Sequence, residues 1–95
     1  MKLLYVRRSD RKGKKLVAQF ALDSGSKRTV HFGSAVSTTF TEGASESKKS
    51  AYLARHKVRE DWTNPLSAGA LSRWILWNKR SLRASIADFK KRFKL

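Results

Sequence analysis

Cysteine is absent from this chain of 95 residues, proline occurs once, and only seven residues are acidic. Without cysteine there can be no disulfide, no thiolate metal site and no cysteine nucleophile, a pattern that fits a reducing compartment. Stability has to come from packing. No apolar run approaches membrane-spanning length, and Leu3 to Val6 ahead of Arg7 and Arg8 are far too short for a signal peptide. Neither membrane insertion nor secretion by that route is expected. The five glycines stand isolated, and no Gly-Lys-Ser or Gly-Lys-Thr follows a strand-like run, so a phosphate loop is missing. No Ser/His/Asp pattern appears either. Neither His31 nor His56 has the set of Cys, Asp or Glu partners at metal-ligand spacing that zinc requires. These absences argue against an enzyme and against a cofactor.

Positive charge is abundant. Twenty-two lysines and arginines leave a formal net charge of +15. A domain so charged repels itself and attracts any polyanion, and nucleic acid is the first candidate partner. The chain is nonetheless no disordered basic tail. Its apolar share is 40%, and Phe20, Phe32, Trp62, Trp74, Trp77, Phe89 and Phe93 are too costly to leave in water. One folded domain over residues 1–95 is expected.

Within it, residues 2–8 and 16–22 read as strands joined by the turn chemistry of Ser9-Asp10-Arg11-Lys12-Gly13. Leu16, Ala18, Phe20 and Leu22 fall on one face, with Val17, Gln19 and Ala21 on the other. Asp23-Ser24-Gly25-Ser26 turns the chain into a third strand, where Val30 and Phe32 alternate with Thr29 and His31. Residues 1–33 thus form an antiparallel β-meander. Residues 34–50, rich in Ser, Thr, Gly and Ala, read as a loop with room for a short β segment over Thr38 to Thr41. Residues 51–95 are expected to be helical. A first helix, capped by Ser45 or Ser47, runs through Tyr52, Leu53 and His56 as far as Arg59. Asn64-Pro65 marks the start of a second helix extending to Trp77, with Leu66, Ala70, Trp74 and Trp77 as its buried stripe. Gly69 would allow a close crossing. Ser81 caps a third helix whose apolar line is Leu82, Ile86, Phe89 and Phe93. The fold class is therefore α+β, with a three-stranded sheet followed by about three helices.

The cations gather in three segments. Arg7, Arg8, Arg11, Lys12, Lys14 and Lys15 surround the first hairpin tip, where they can neutralise phosphates and release counterions. The same run fits a nuclear import signal, or an edge-protecting cluster. Lys48, Lys49 and Arg55 lie on the first helix, together with Lys57 and Arg59. Arg83, Lys90 and Lys94 share a line on the third, near Lys79, Arg80, Lys91 and Arg92. Dispersed clusters imply backbone and shape recognition without base specificity. Glu60 and Asp61 read as ion-pairing or capping residues amid arginines. Trp74 and Trp77 are expected in the core, with Trp62 as a staple before the second helix. Tyr5 and Tyr52 are open between core and stacking roles.

The segment Tyr52-Leu53-Ala54-Arg55-His56-Lys57-Val58-Arg59-Glu60-Asp61-Trp62 is followed by Ala68-Gly69, Ser72-Arg73-Trp74 and Leu76-Trp77-Asn78-Lys79. With the closing run Ser85 to Phe93 and His31-Phe32-Gly33 upstream, the chain resembles the small basic proteins of unassigned function encoded by nucleocytoplasmic large DNA viruses. The likeness spans roughly two thirds of the chain. It departs at Arg80, where that family is expected to have proline. The resemblance implies a viral origin and supplies no activity, cofactor or site. It adds weight to two partners, a viral genome and other proteins of the particle. The leading expectation is sequence-independent binding or condensation of nucleic acid, duplex DNA first. Its location would then be the virion, or the viral factory or nucleus of the infected cell. The alternative is a minor virion protein that cements capsid or core components through its basic faces and contacts acidic protein surfaces, and a transcription-associated factor ranks third. Homo-oligomerisation is compatible with either of the first two.

Overall fold

A computed structural model describes residues 1–95. Three antiparallel strands, β1 (Lys2–Arg8), β2 (Lys14–Ala21) and β3 (Lys27–Ser34), form a sheet in the order β1-β2-β3. Three helical elements follow, α1 (Glu46–His56), α2 (Ala68–Leu71) and α3 (Leu82–Phe93). The α+β class and the meander are as the alternation in the sequence predicts. Glycines make the reversals possible: Gly13 and Gly25 have φ of 84° and 92°, a region that only glycine enters at no steric cost. At the first tip the Ser9 N–H donates to the Lys15 carbonyl at 3.1 Å. A bulge at Leu4 shifts the register of β1, leaving Leu4 outside the pairing.

One face of the sheet carries the core. Leu3, Ala18, Phe20 and Phe32 pack against Leu71, Ile75, Leu76 and Phe89, with Val6, Leu16 and Val30 around them. Ser81 caps α3 by accepting from the Ala84 N–H at 3.1 Å. Ile86, Phe89 and Phe93 then face inward as expected, while Leu82, at the first turn, is left partly exposed.

The structure departs from the sequence expectations in five places. Ser45, one of the two expected caps, accepts from the Lys48 N–H at 3.1 Å and starts α1 at Glu46, so the loop ends before residue 50. That helix stops at His56, short of Arg59. Thr38 to Thr41 form no strand: Phe40–Glu42 is a 3₁₀ turn, held by the Thr39 N–H and hydroxyl, which both donate to Glu42 Oε1, at 3.1 and 2.8 Å. Asn64-Pro65 does not open a helix. The Asn64 side chain closes its own turn onto the Leu66 N–H, and Ser67 is the cap, accepting from the Ala70 N–H at 3.1 Å.

The fifth departure concerns the expected Pro65–Trp77 helix. After four α-helical residues the chain widens into a π turn over Ser72–Leu76, closed by the Trp77 N–H donating to the Ser72 carbonyl at 3.1 Å. A π turn lags the α-helical rotation, so the buried set becomes Ala70, Leu71, Ser72, Ile75, Leu76 and Trp77. Trp74 moves to the flank. There its ring is covered by the guanidinium groups of Arg73 and Arg92, at 4.0 and 3.6 Å, and its Nε1 donates to the Trp62 carbonyl. Trp62 is half-buried against this flank, with Arg73 over its ring at 5.4 Å.

Trp77 is the tryptophan that belongs to the core. Trp77→Ala is expected to cost about 3–5 kcal/mol, a large share of the stability of a domain this small, measured by urea denaturation. Gly33 is a second sensitive position. With φ at 81°, a Cβ there would stand 2.6 Å from Leu76 Cδ1, so Gly33→Ala should lower the urea midpoint through both strain and overlap.

Candidate nucleic-acid interface

On α1, Lys48, Tyr52, Arg55 and His56 fall on one stripe by the i, i+4, i+7, i+8 rule. This stripe faces a cleft of about 520 Å³. The end of the β2–β3 ribbon forms a second wall with Gly13, Lys14, Gly33 and Ser34, and α2 with its π turn forms a third with Gly69, Ser72, Leu76 and Trp77. The ribbon end reaches this position because Lys14 pairs with Ser34 in the sheet and the Ala35 N–H donates to the Gly13 carbonyl at 3.0 Å.

Aromatic rings make the floor. Trp77 stacks on Tyr52 at 4.3 Å between centroids, and Tyr52 stacks on His56 at 4.2 Å. The floor is rigid, since Trp77 and Tyr52 are both buried. Burial, and after it the Glu60 carboxylate, push the Tyr52 phenol up to about 12, so it stays neutral. Glu60 is the one carboxylate lining the cleft, and its Oε2 lies 2.9 Å from His56 Nδ1. Gly69 makes room for it: a Cβ at that position would stand 2.7 Å from Glu60 Oε1. The close approach expected at Gly69 is thus to a carboxylate and not to a crossing helix. With Glu60 engaged, Lys14, Lys48 and Arg55 stand exposed around the opening without an acidic partner.

The structure therefore brings together three of the expected cations from two separate segments. The others are distributed differently. Arg11 and Lys12 are exposed at the hairpin tip, and Arg83, Lys90 and Lys94 are exposed on or at the end of α3, outside the cleft. Arg7 and Arg8 line a separate hollow on the sheet. Two residues expected to contact phosphate serve the fold instead. Lys15, with only 14% of its side chain exposed, pairs with Glu42 at 2.9 Å, tying the ribbon to the 3₁₀ turn. Lys49 donates to the Asn78 carbonyl at 2.7 Å and lies over the Phe40 ring at 4.4 Å. Burial, then the Arg73 charge, push the Lys49 ammonium below its ordinary range. Arg80 joins it over Phe40 at 3.7 Å and donates to the Phe40 and Ala44 carbonyls, a role that proline at this position could not fill.

The His56–Glu60 pair and the three-ring stack were not anticipated. Their signal is present in the sequence as two i, i+4 spacings, Tyr52/His56 and His56/Glu60. No three side chains of His, Asp or Glu gather anywhere in the chain to hold a metal.

Residues 4–56 match a protein family described as a family of unknown function, DUF5754. Uncharacterized protein L851 of Acanthamoeba polyphaga mimivirus is 35% identical over 80 residues, covering 78% of this chain and 80% of the relative. The chain belongs to this family. Its similarity to a protein of a large DNA virus without assigned function agrees with the resemblance seen in the motifs. No solved structure gives a significant match.

The Lys15–Glu42 tie makes a pH-dependent contribution. Burial raises the Glu42 pKa, but the Lys15 and Thr39 hydrogen bonds outweigh it and hold the carboxyl below its ordinary 4.5. A depressed carboxylate stabilises the fold above its unfolded pKa, and the contribution fades as pH falls through the folded value. Glu42→Gln should cost about 1 kcal/mol or less at pH 7, given the partial exposure of the pair. The difference from the parent should shrink as pH is lowered below 4.5 through the depressed folded value, as followed by denaturation across an acid pH series.

Proposed function

We propose that the protein binds nucleic acid without sequence preference, duplex DNA being the principal partner, and that the cleft seats the phosphate backbone. The observation that carries this reading is the convergence of Lys14, Lys48 and Arg55 on one opening whose single carboxylate is already held by His56. The charge budget of the whole chain supports it. Of twenty-two lysines and arginines, only Lys15 and Arg92 lie within ion-pair distance of a carboxylate. The cleft offers cations and the exposed Ser34 hydroxyl, groups that bind phosphate and sugar and carry no base code.

Duplex affinity should fall steeply with salt, with a log–log slope of roughly −4 to −7 if about five to eight phosphates are neutralised. Replacing Lys14, Lys48 and Arg55 together by glutamine should weaken binding to all duplex sequences alike and reduce the slope by about 2 to 3 in magnitude. A slope near zero, or strong preference for one site over random duplex in an anisotropy titration, overturns the proposal.

The α3 cations stand outside the cleft, and this separation supports a second reading, a virion component that contacts acidic proteins. Reversing Arg83, Lys90 and Lys94 to glutamate should cost little stability, since exposed charges contribute at most about 1 kcal/mol each. If α3 serves assembly, the triple variant keeps duplex affinity and loses co-purification with virion proteins. If α3 extends the phosphate track, duplex affinity falls.

A further inference from the structure

The helices cover only one face of the sheet. On the other, the strand register lines up three rows: Arg7–Val17–His31, Tyr5–Gln19–Thr29 and Lys2–Ala21–Lys27. No carboxylate occurs in these rows, and three of the nine residues are cations. Val17 is buried although it lies outside the helix-facing core, so its neighbours on the flanking strands stand over it and wall a hollow of about 360 Å³. Tyr5, Arg7, Arg8, Thr29 and His31 line that hollow, which shares no residue with the cleft; Asp10 is its one acid.

We propose that this uncovered face is a platform for single-stranded nucleic acid, with a base on the Tyr5 ring and the adjoining phosphate on Arg7. The proposal rests on the nucleic-acid reading and assigns it a second surface with a different substrate form. Tyr5 is partly exposed, and the Arg7 guanidinium lies over its ring, 4.1 Å from the centroid, with Arg7 also donating to the Tyr5 hydroxyl at 3.4 Å. An exposed pair of this kind is weaker than the stacking of a base on an aromatic ring. A base therefore takes the ring, and the displaced guanidinium meets the phosphate beside it.

The surrounding polar groups fit a sequence-tolerant site. Ser9 Oγ and His31 Nδ1 are hydrogen-bonded at 2.7 Å, which leaves His31 Nε2 without a protein partner. Gln19 Nε2 donates to Thr29 Oγ1 at 3.3 Å and leaves the Gln19 carbonyl free. Alternate residues along a strand are about 7 Å apart, so an extended strand can place successive nucleotides on successive rows. Duplex DNA cannot use this face in the same way, because its bases are stacked within the helix and cannot lie on Tyr5.

The test uses the full chain with a fluorescent oligothymidylate and, separately, a blunt duplex of matched length. Tyr5→Ala should weaken the single strand by about tenfold or more while duplex affinity stays within about twofold. Tyr5→Phe, which keeps the ring, should bind like the parent. Thr29→Glu, at an exposed position that leaves the core untouched, should also lose the single strand, and it decides the matter if Tyr5→Ala proves poorly folded. Unchanged single-strand affinity in Thr29→Glu and in folded Tyr5→Ala, or equal loss on both probes, overturns the platform and leaves the cleft proposal standing. Failure of the parent to bind either probe overturns both readings. Loss of duplex but not single strand on replacing Lys14, Lys48 and Arg55 by glutamine supports the division of roles.

Discussion

Too few carboxylates are available to organise this fold by ion pairing, and much of its architecture follows from that shortage. The acids that are present are nearly all engaged: Asp23 by the amino terminus, Glu42 by Lys15, Glu60 by His56, Asp61 by Thr63 and Asp88 by both Asn78 and Arg92. Cations that must sit near the core are held by ring faces and backbone carbonyls. Lys49 and Arg80 share Phe40, and Arg73 and Arg92 share Trp74. Such contacts are worth about 0.5–2 kcal/mol each, at least as much as an exposed ion pair, and they need no negative charge. They leave the repulsion in place. Arg73 is half-buried, and its pKa is pushed down first by desolvation and then by the charge of Arg92. A polyanion that settles on the surface relieves this repulsion, which links affinity to stability.

The sheet was legible from the sequence because period-2 alternation and glycine turns are local signals. The α3 helix was legible because Ser81 and the line through Ile86, Phe89 and Phe93 agree. What could not be read was competition between equally good local signals. Asn64-Pro65 carries the local signal of a helix start, yet Ser67 is the cap that forms, and its hydroxyl also donates to the Asp61 and Asn64 carbonyls. The π turn has no local signature in Ser72–Leu76, and it brings Leu76 and Trp77 into the buried set beside Leu71 and Ile75.

Of the cations counted in the sequence, Lys14, Lys48 and Arg55 line the cleft, and counting alone could not separate them from the rest. Lys14 and Lys15 are neighbours in sequence, yet strand alternation sends one to the opening and the other to Glu42. Lys48 and Lys49 divide in the same way on a helix, one at the cleft and the other on Phe40. A run of lysines therefore specifies a charged neighbourhood, and the backbone period decides which members reach solvent. The family match ends at His56, so it includes the sheet and α1 but not Glu60, Gly69 or Trp77 on the facing side of the cleft.

The π turn can be viewed as an α-helix carrying one surplus residue. Removing one residue between Ser72 and Leu76 would let the helix close with ordinary hydrogen bonds, but every later side chain would swing by about 100° around its axis. Trp77 would leave Tyr52, and the ring floor under the cations would lose its buried base. The shape of the cleft is thus set by the length of this segment as much as by its composition. Drift by substitution can preserve the opening, whereas a single-codon deletion in this turn would dismantle it while the strands remained paired.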